Sequence, residues 1–240
     1  MTNSDPKAKS KAIYLLPNLF TTAALFCGFY AVVAGMHGQL EAAATAIFIA
    51  MILDGFDGRV ARLIHGESEF GAQYDSMSDL VAFGVAPALV SLSWALSDLG
   101  KVGWVAAFIY LAGAALRLAR FNAMIDVSDK KYFVGLASPP AAALVAGLVW
   151  LCAQEGISSS ATTWFGAVTV VCAGLLMVSN FKYYSFKNFD IKGRVPFVAL
   201  LAIVVVFSVV FIDPARILFG LAFVYALSGP VMFVMGKRFD

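Results

Sequence analysis

Histidine is almost absent from this 240-residue chain: only His37 and His65 occur, which excludes a histidine-rich metal centre. Cysteine is nearly as scarce. Cys27, Cys152 and Cys172 each lie inside an apolar run, so neither a disulfide framework nor a zinc site is expected. Charge is thin as well, with 13% Asp, Glu, Lys and Arg, where a soluble domain carries about a quarter. The net charge of +2 gives no basic footprint for a nucleic-acid partner. What the chain has in excess is apolar surface: 61% of residues are hydrophobic and the mean hydropathy is +0.84. A soluble domain of this size could not hide that surface, and disorder requires low hydrophobicity. The chain reads as an integral membrane protein.

A membrane-spanning helix needs about 20 mainly apolar residues. Residues 12–40 carry no Asp, Glu, Lys or Arg, and further uncharged runs cover 42–53, 80–97, 102–116, 132–154, 156–181, 195–212 and 217–236. The second run is too short alone, so its helix must continue through Asp54 and Asp57 to about Ile64. The third must begin near Phe70 and include Asp75 and Asp79, and the fourth should extend past Arg117 towards Phe121. The expected fold is all-α, a polytopic membrane helix bundle of about eight transmembrane helices. Placing both termini in the cytoplasm puts Lys7, Lys9, Lys11, Arg59, Arg62, Arg117, Arg120, Lys130, Lys131, Lys182, Lys187, Lys192, Arg194, Lys237 and Arg238 inside. Only Lys101 and Arg216 then fall outside, a strong bias under the positive-inside rule. Residues 1–11 read as a basic cytoplasmic tail without the features of a signal peptide, and 12–240 as one transmembrane domain with no internal repeat. Trp104, Trp150, Trp164, Tyr183 and Tyr184 are expected at span ends as interfacial anchors. Gly113, Ala114 and Ala115 suggest a close helix contact, within the bundle or between copies.

Four aspartates lie on these spans: Asp54, Asp57, Asp75 and Asp79. A charge at the bilayer centre costs about 2.5–3.5 kcal/mol on insertion scales, so such residues mark function. Counting from Leu40, Asp54 falls within about two turns of the inner boundary. Asp54 and Asp57 are spaced i,i+3, Asp54, Gly58 and Arg62 follow in steps of four, and Asp75 and Asp79 are i,i+4. Gly66 and Gly71 suit a turn between two antiparallel helices. Four facing carboxylates cannot all ionise without cations, and hard divalent ions with oxygen ligands, Mg²⁺ or Mn²⁺, match the donors. Two such ions about 3.5–4 Å apart make a phosphoryl-transfer clamp. Gly58 and Ala61 flank the acidic face and leave a slot for a ligand.

Residues 54–79, DGFDGRVARLIHGESEFGAQYDSMSD, fit the signature D-x2-D-G-x2-A-R-x8-G-x3-D-x3-D at every specified position. In this the chain resembles the CDP-alcohol phosphatidyltransferases. Within that family, LPNLFTTAALFCGFYA at 16–31, RLARFN at 117–122 and GLASPPAAA at 135–143 are similar to the bacterial branch that uses serine. The last stretch departs from that branch's pattern at Ala137 and Pro140. The resemblance implies transfer of a phosphatidyl group from CDP-diacylglycerol to the hydroxyl of L-serine, with release of CMP, by a homodimer in the bacterial inner membrane. It implies that Asp54, Asp57 and Asp75 bind two metal ions and that Asp79 is both ligand and catalytic base. Gly58, Ala61, Arg62 and Gly71 would line the cytidine and diphosphate pocket, which Asn18 and Thr21 would close from the first helix. Arg117 and Arg120, at the depth of the aspartates, are candidates to bind the acceptor or the lipid phosphate through paired hydrogen bonds, with Asn122 in support. The aspartate signature leaves open other acceptors: glycerol phosphate, an inositol compound or choline. A cation transporter is the reading from a different class. Against it, the acids gather at one membrane face, and no pair of broken helices occupies matching halves of the chain.

Overall fold

The computed structural model describes residues 6–64, 68–123, 132–184, 208 and 210–235. It is a helical bundle, as lipid demands: a spanning segment must satisfy its own backbone hydrogen bonds. Helix α1 (Pro6–Met36) turns at Gly38, whose φ of 73° is the left-handed conformation that glycine permits. It leads into α2 (Leu40–Leu63). Helix α3 (Glu69–Asp79) runs through a π-helical turn (Leu80–Val85) into α4 (Ala86–Trp94), so that one continuous span covers Glu69–Trp94. A 3₁₀ turn at Leu96–Leu99 precedes α5 (Lys101–Ala123). Strand β1 (Tyr132–Val134) comes before α6 (Ser138–Gln154) and α7 (Ser160–Val178), and strand β2 (Lys182–Tyr184) follows them. The two strands pair antiparallel, with Phe133 opposite Tyr183. Helix α8 (Pro214–Val234) ends the described chain.

Among the described residues, five helical segments are long and apolar enough to cross a membrane: Pro17–Met36, Glu69–Trp94, Lys101–Ala123, Ser160–Val178 and Pro214–Val234. Helix α2 is long enough but carries the charged signature, and α6 is a shorter apolar helix. The expected spans therefore appear as helices, with three differences. The described part of the stretch read as a tail, from Pro6 on, is already helical. The run 132–154 is not all helix: its first residues form β1 and a turn at Gly135 (φ 82°), and Pro139 and Pro140 open the helix only after Ala137. The seventh span, 195–212, lies outside the described residues apart from helical positions at its end. Most of the 122–133 and 182–194 loops, and Gly66, also lie outside them.

Helix α6 is the centre of the bundle. It has no charged residue and is apolar all round, the pattern of a helix enclosed by others. Ala142, Ala146 and Val149 pack with α1, α2 and α4, whereas Ala141, Leu144 and Val145 pack with α5, α7 and α8. Lipid offers no hydrophobic drive for helix association, so close approach over small residues matters more. A Cβ on Gly113 would lie 2.5 Å from the Gly174 carbonyl oxygen, and one on Gly28 would lie 2.7 Å from Ala82 Cα. Gly113 thus marks a contact of α5 with α7 inside the bundle.

Two prolines within the spans are compensated in the same way. Pro87 has no N–H to offer the Phe83 carbonyl one turn before it, and the Tyr110 hydroxyl donates to that oxygen at 2.8 Å. Pro230 leaves the Ala226 carbonyl in the same position, and the Tyr183 hydroxyl donates to it at 3.0 Å. Both phenols are fully buried. Gly229 leaves room for the Tyr183 ring where any Cβ would collide. Tyr183 is therefore a core residue and not the interfacial anchor expected, whereas Trp104 and Trp164 are outward-facing.

Candidate active site

The signature residues meet at one end of the bundle. Ser68 caps α3 by accepting a hydrogen bond from Gly71 N at 3.0 Å, which sets where the helix starts and hence the face that carries Asp75 and Asp79. That face meets the last turns of α2. Carboxylate oxygens of Asp54, Asp57 and Asp75 all lie within 4.8 Å of one another. Asp79 stands at the edge of this trio, within hydrogen-bonding reach of Asp54, and Asp57 faces Asp75 in the same way. Asp57 is buried, and the other three are partly so.

Helix α1 supports the cluster from behind. Thr21 Oγ1 donates to Asp57 Oδ2 at 2.9 Å and also lies 3.2 Å from the Pro17 carbonyl oxygen. Ser78, between the two aspartates of the third span, donates to the Thr21 carbonyl at 3.1 Å. Thr22 and Tyr74 pair through their hydroxyls at 3.0 Å. Thr21 is itself buried, so it reaches the site through Asp57 and not as an open pocket wall. Asn18 stands beside Gly71: a Cβ there would sit 3.3 Å from its Oδ1. On the α2 side, a Cβ built on Gly58 would meet the Arg62 guanidinium at 3.7 Å and no other side chain among the described residues within 4 Å. Arg62 thus lies beside Gly58, where the slot is expected.

The residues present fit divalent cations. The donors are all carboxylate oxygens, which hard cations prefer. Asp75 Oδ1 is buried without a hydrogen-bond partner among the described residues, a costly state that a cation would relieve. An acidic cluster compatible with metal binding is what the geometry supplies.

The three residues assigned to the acceptor behave differently. Arg117 is brought towards the cluster: it interacts electrostatically with Asp79, and its Nη1 donates to Ser138 Oγ at 2.9 Å. Arg120 instead donates to Asn180 Oδ1 at 3.0 Å, tying α5 to the end of α7. Asn122 donates to Ser76 Oγ at 3.0 Å, bracing α3. Ser138 and Ser78 are not candidates on sequence grounds, although Ser138 has a local signal in the Ser-Pro-Pro start of α6.

Helices stacked around an aspartate cluster at one end of the bundle define a polytopic membrane protein with a carboxylate-rich candidate site. The chain belongs to the CDP-alcohol phosphatidyltransferase family, whose model matches residues 14–175. It is 34% identical to a CDP-diacylglycerol–serine O-phosphatidyltransferase of Helicobacter pylori, over 94% of each chain. Proteins of the same name from Mycobacterium leprae and Bacillus subtilis are 36% and 33% identical. These matches cover 85% and 72% of this chain and 70% and 92% of theirs. The family model's match extends over all four aspartates, Arg117 and Ser138, and α8 lies beyond it.

Proposed function

We propose that this protein makes phosphatidylserine, transferring the phosphatidyl group of CDP-diacylglycerol to the hydroxyl of L-serine and releasing CMP. The observation that carries this reading is the convergence of Asp54, Asp57 and Asp75 from two helices, with Asp79 beside Asp54, in a chain whose curated relatives bear that enzyme's name. Asp54, Asp57 and Asp75 would hold two Mg²⁺ or Mn²⁺ ions, with Asp79 as a further ligand. Bound there, the ions would neutralise the diphosphate and stabilise the departing CMP.

The chain's own groups then have separate tasks. Gly58, Ala61 and Gly71 leave space for the nucleotide, while Arg62 and Asn18 border it. Asp79, at the edge of the trio, takes the proton of the serine hydroxyl as that oxygen bonds to the lipid-linked phosphorus. The bond from this phosphorus to the CMP phosphate oxygen breaks, and CMP leaves with the electron pair. Arg117 binds the serine carboxylate or the lipid phosphate, since a guanidinium matches either with two parallel hydrogen bonds. Positioning and charge stabilisation carry most of such a phosphoryl transfer.

The basic-residue asymmetry supports a site facing the cytoplasm of a bacterial inner membrane, where a water-soluble nucleotide and lipid tails can both be accommodated. The homodimer implied by the family resemblance belongs to the same proposal. The deciding experiment supplies the purified protein with CDP-diacylglycerol and serine, glycerol phosphate, inositol compounds or choline in turn. CMP release is expected with serine. Preference for another alcohol would overturn the serine assignment.

A further inference from the structure

Ser138 is fully buried at the start of α6, where a serine ordinarily caps the helix by accepting from a nearby backbone N–H. No such donor is left for it here. Pro139 and Pro140 have no N–H to give, and Ala141 N donates to the Ala137 carbonyl at 3.1 Å. Ser138 Oγ accepts instead from another helix, from Arg117 Nη1 of α5 at 2.9 Å. The segment that delivers this serine is itself tied down. Gly135 N donates to the Phe181 carbonyl at 2.8 Å and Leu136 N to the Leu176 carbonyl at 2.9 Å, so the chain before α6 lies against the end of α7 and the residues just after it. A Cβ on Gly135 would be 2.4 Å from the Met177 carbonyl oxygen, so that approach requires glycine.

The backbone that carries Arg117 is fixed on both sides. Gly113 meets Gly174 one turn before it, and Arg120 donates to Asn180 Oδ1 one turn after it. Two further contacts of α5 set its level relative to the aspartates. Asn122 donates to Ser76 Oγ at 3.0 Å, and a Cβ on Gly84 would lie 3.2 Å from Ala114 Cβ. Arg117 and Asp79 both fall between these two points, on helices that run antiparallel. A guanidinium carries five N–H donors in one rigid plane. Ser138 engages Nη1, the nitrogen on the Cδ side, and so does not occupy the edge formed by Nε and Nη2, which matches a carboxylate with two parallel hydrogen bonds. Nε is buried with no hydrogen-bond partner among the described residues, a costly state that an arriving carboxylate oxygen would relieve. We propose that Ser138 is a positioning residue: by holding Nη1 it sets the plane of Arg117, so that the Nε–Nη2 edge meets the carboxylate of the acceptor serine. This rests on the reading of Arg117 as the acceptor-binding arginine.

The test compares Ser138→Ala, Ser138→Cys and Arg117→Lys in the whole protein. CMP release is measured against serine and, separately, against CDP-diacylglycerol. Ser138→Ala removes the acceptor and should raise the KM for serine about tenfold, the scale of one hydrogen bond to a charged group. The KM for CDP-diacylglycerol should stay within about twofold. Ser138→Cys keeps the shape of the side chain but offers sulfur, a weak acceptor, so it should raise serine KM as well, by less than Ser138→Ala. Were Ser138 only filling space, Ser138→Cys would have a normal serine KM and Ser138→Ala would lose thermal stability without a selective change in serine KM. Either result overturns the positioning role. Unchanged serine KM in both Ser138 variants, with a raised value in Arg117→Lys, overturns it too and leaves the Arg117 reading standing. Unchanged values in all three overturn the two together. A rise in the KM for CDP-diacylglycerol in place of that for serine overturns the carboxylate assignment and moves Arg117 to the lipid phosphate. If Ser138→Ala does not fold, Ser138→Cys decides alone. Absence of serine-dependent CMP release from the unmodified protein would instead overturn the proposed function itself, and this inference with it.

Discussion

The hydrogen bond from Thr21 to Asp57 offers the sharpest test of how the site is held. Thr21→Val replaces the hydroxyl by a methyl group of nearly the same shape, leaving no cavity between α1 and α2 while removing the donor 2.9 Å from Asp57 Oδ2. The site is buried, with Thr21 3% and Asp57 5% exposed, so water cannot readily replace the lost partner. A hydrogen bond to a charged group contributes about 1.5–3 kcal/mol. Groups that orient a metal-binding carboxylate typically change metal affinity or activity about 10–100-fold when removed. The two scales agree, since about 1.4 kcal/mol corresponds to tenfold. Thr21→Val should therefore raise the Mg²⁺ or Mn²⁺ concentration for half-maximal CMP release about 10–100-fold. Saturating metal should restore turnover to within a few-fold, because the carboxylate itself remains. Thr21→Ser retains the hydroxyl and should behave almost as the unmodified protein. An unchanged metal requirement in well-folded Thr21→Val would refute the claim that this bond presets Asp57. A loss that no metal concentration restores would instead assign Thr21 to substrate contact.

The edge position of Asp79 predicts that Asp79→Asn loses about 10²–10⁴-fold in turnover, the usual scale for a general base, while CDP-diacylglycerol still binds in a metal-dependent way. Asp57→Asn should weaken that binding itself, and equal loss of binding in both variants would make Asp79 mainly a ligand. Tyr110→Phe should lower thermal stability by about 1–3 kcal/mol, because it strands the Phe83 carbonyl opposite Pro87; unchanged melting in detergent would show that this oxygen needs no partner. Single cysteines placed in the 122–133 or 182–194 loops, after replacement of Cys27, Cys152 and Cys172, should resist an impermeant reagent in intact cells. Labelling of either loop from outside would overturn the proposed orientation.

The features legible from sequence were those that repeat locally. Uncharged runs marked the helices, because a span must be apolar over its whole length. Spacings of three and four placed Asp54 beside Asp57 and Asp75 one turn from Asp79, since side chains so spaced share a helix face. The boundaries failed where an apolar run was not a helix. Residues 132–137 are uncharged yet form β1 and a turn, because Gly135 adopts a positive φ and Pro139 and Pro140 favour the start of a helix over its interior. Contacts between distant segments left no periodic trace. Tyr183 looked like an interfacial tyrosine until its hydroxyl met the carbonyl released by Pro230, 47 positions later.

That rescue explains why helix-breaking residues stand so near the site. A proline in a lipid-embedded helix is tolerated when a neighbouring group satisfies the carbonyl one turn before it, since an unsatisfied group there costs several kcal/mol. Here each rescuer comes from another element: Tyr110 from α5 and Tyr183 from β2. The compensation therefore also determines packing, because each tyrosine must sit where its carbonyl is exposed. Pro87 and Tyr110 fix the π-helical turn directly below Asp79 against α5, the helix that carries Arg117. Pro230 and Tyr183 fix α8 against β2. The span that carries Asp79 and α8 are thus each registered against a neighbour by a local defect, and a uniformly regular bundle would lack both reference points.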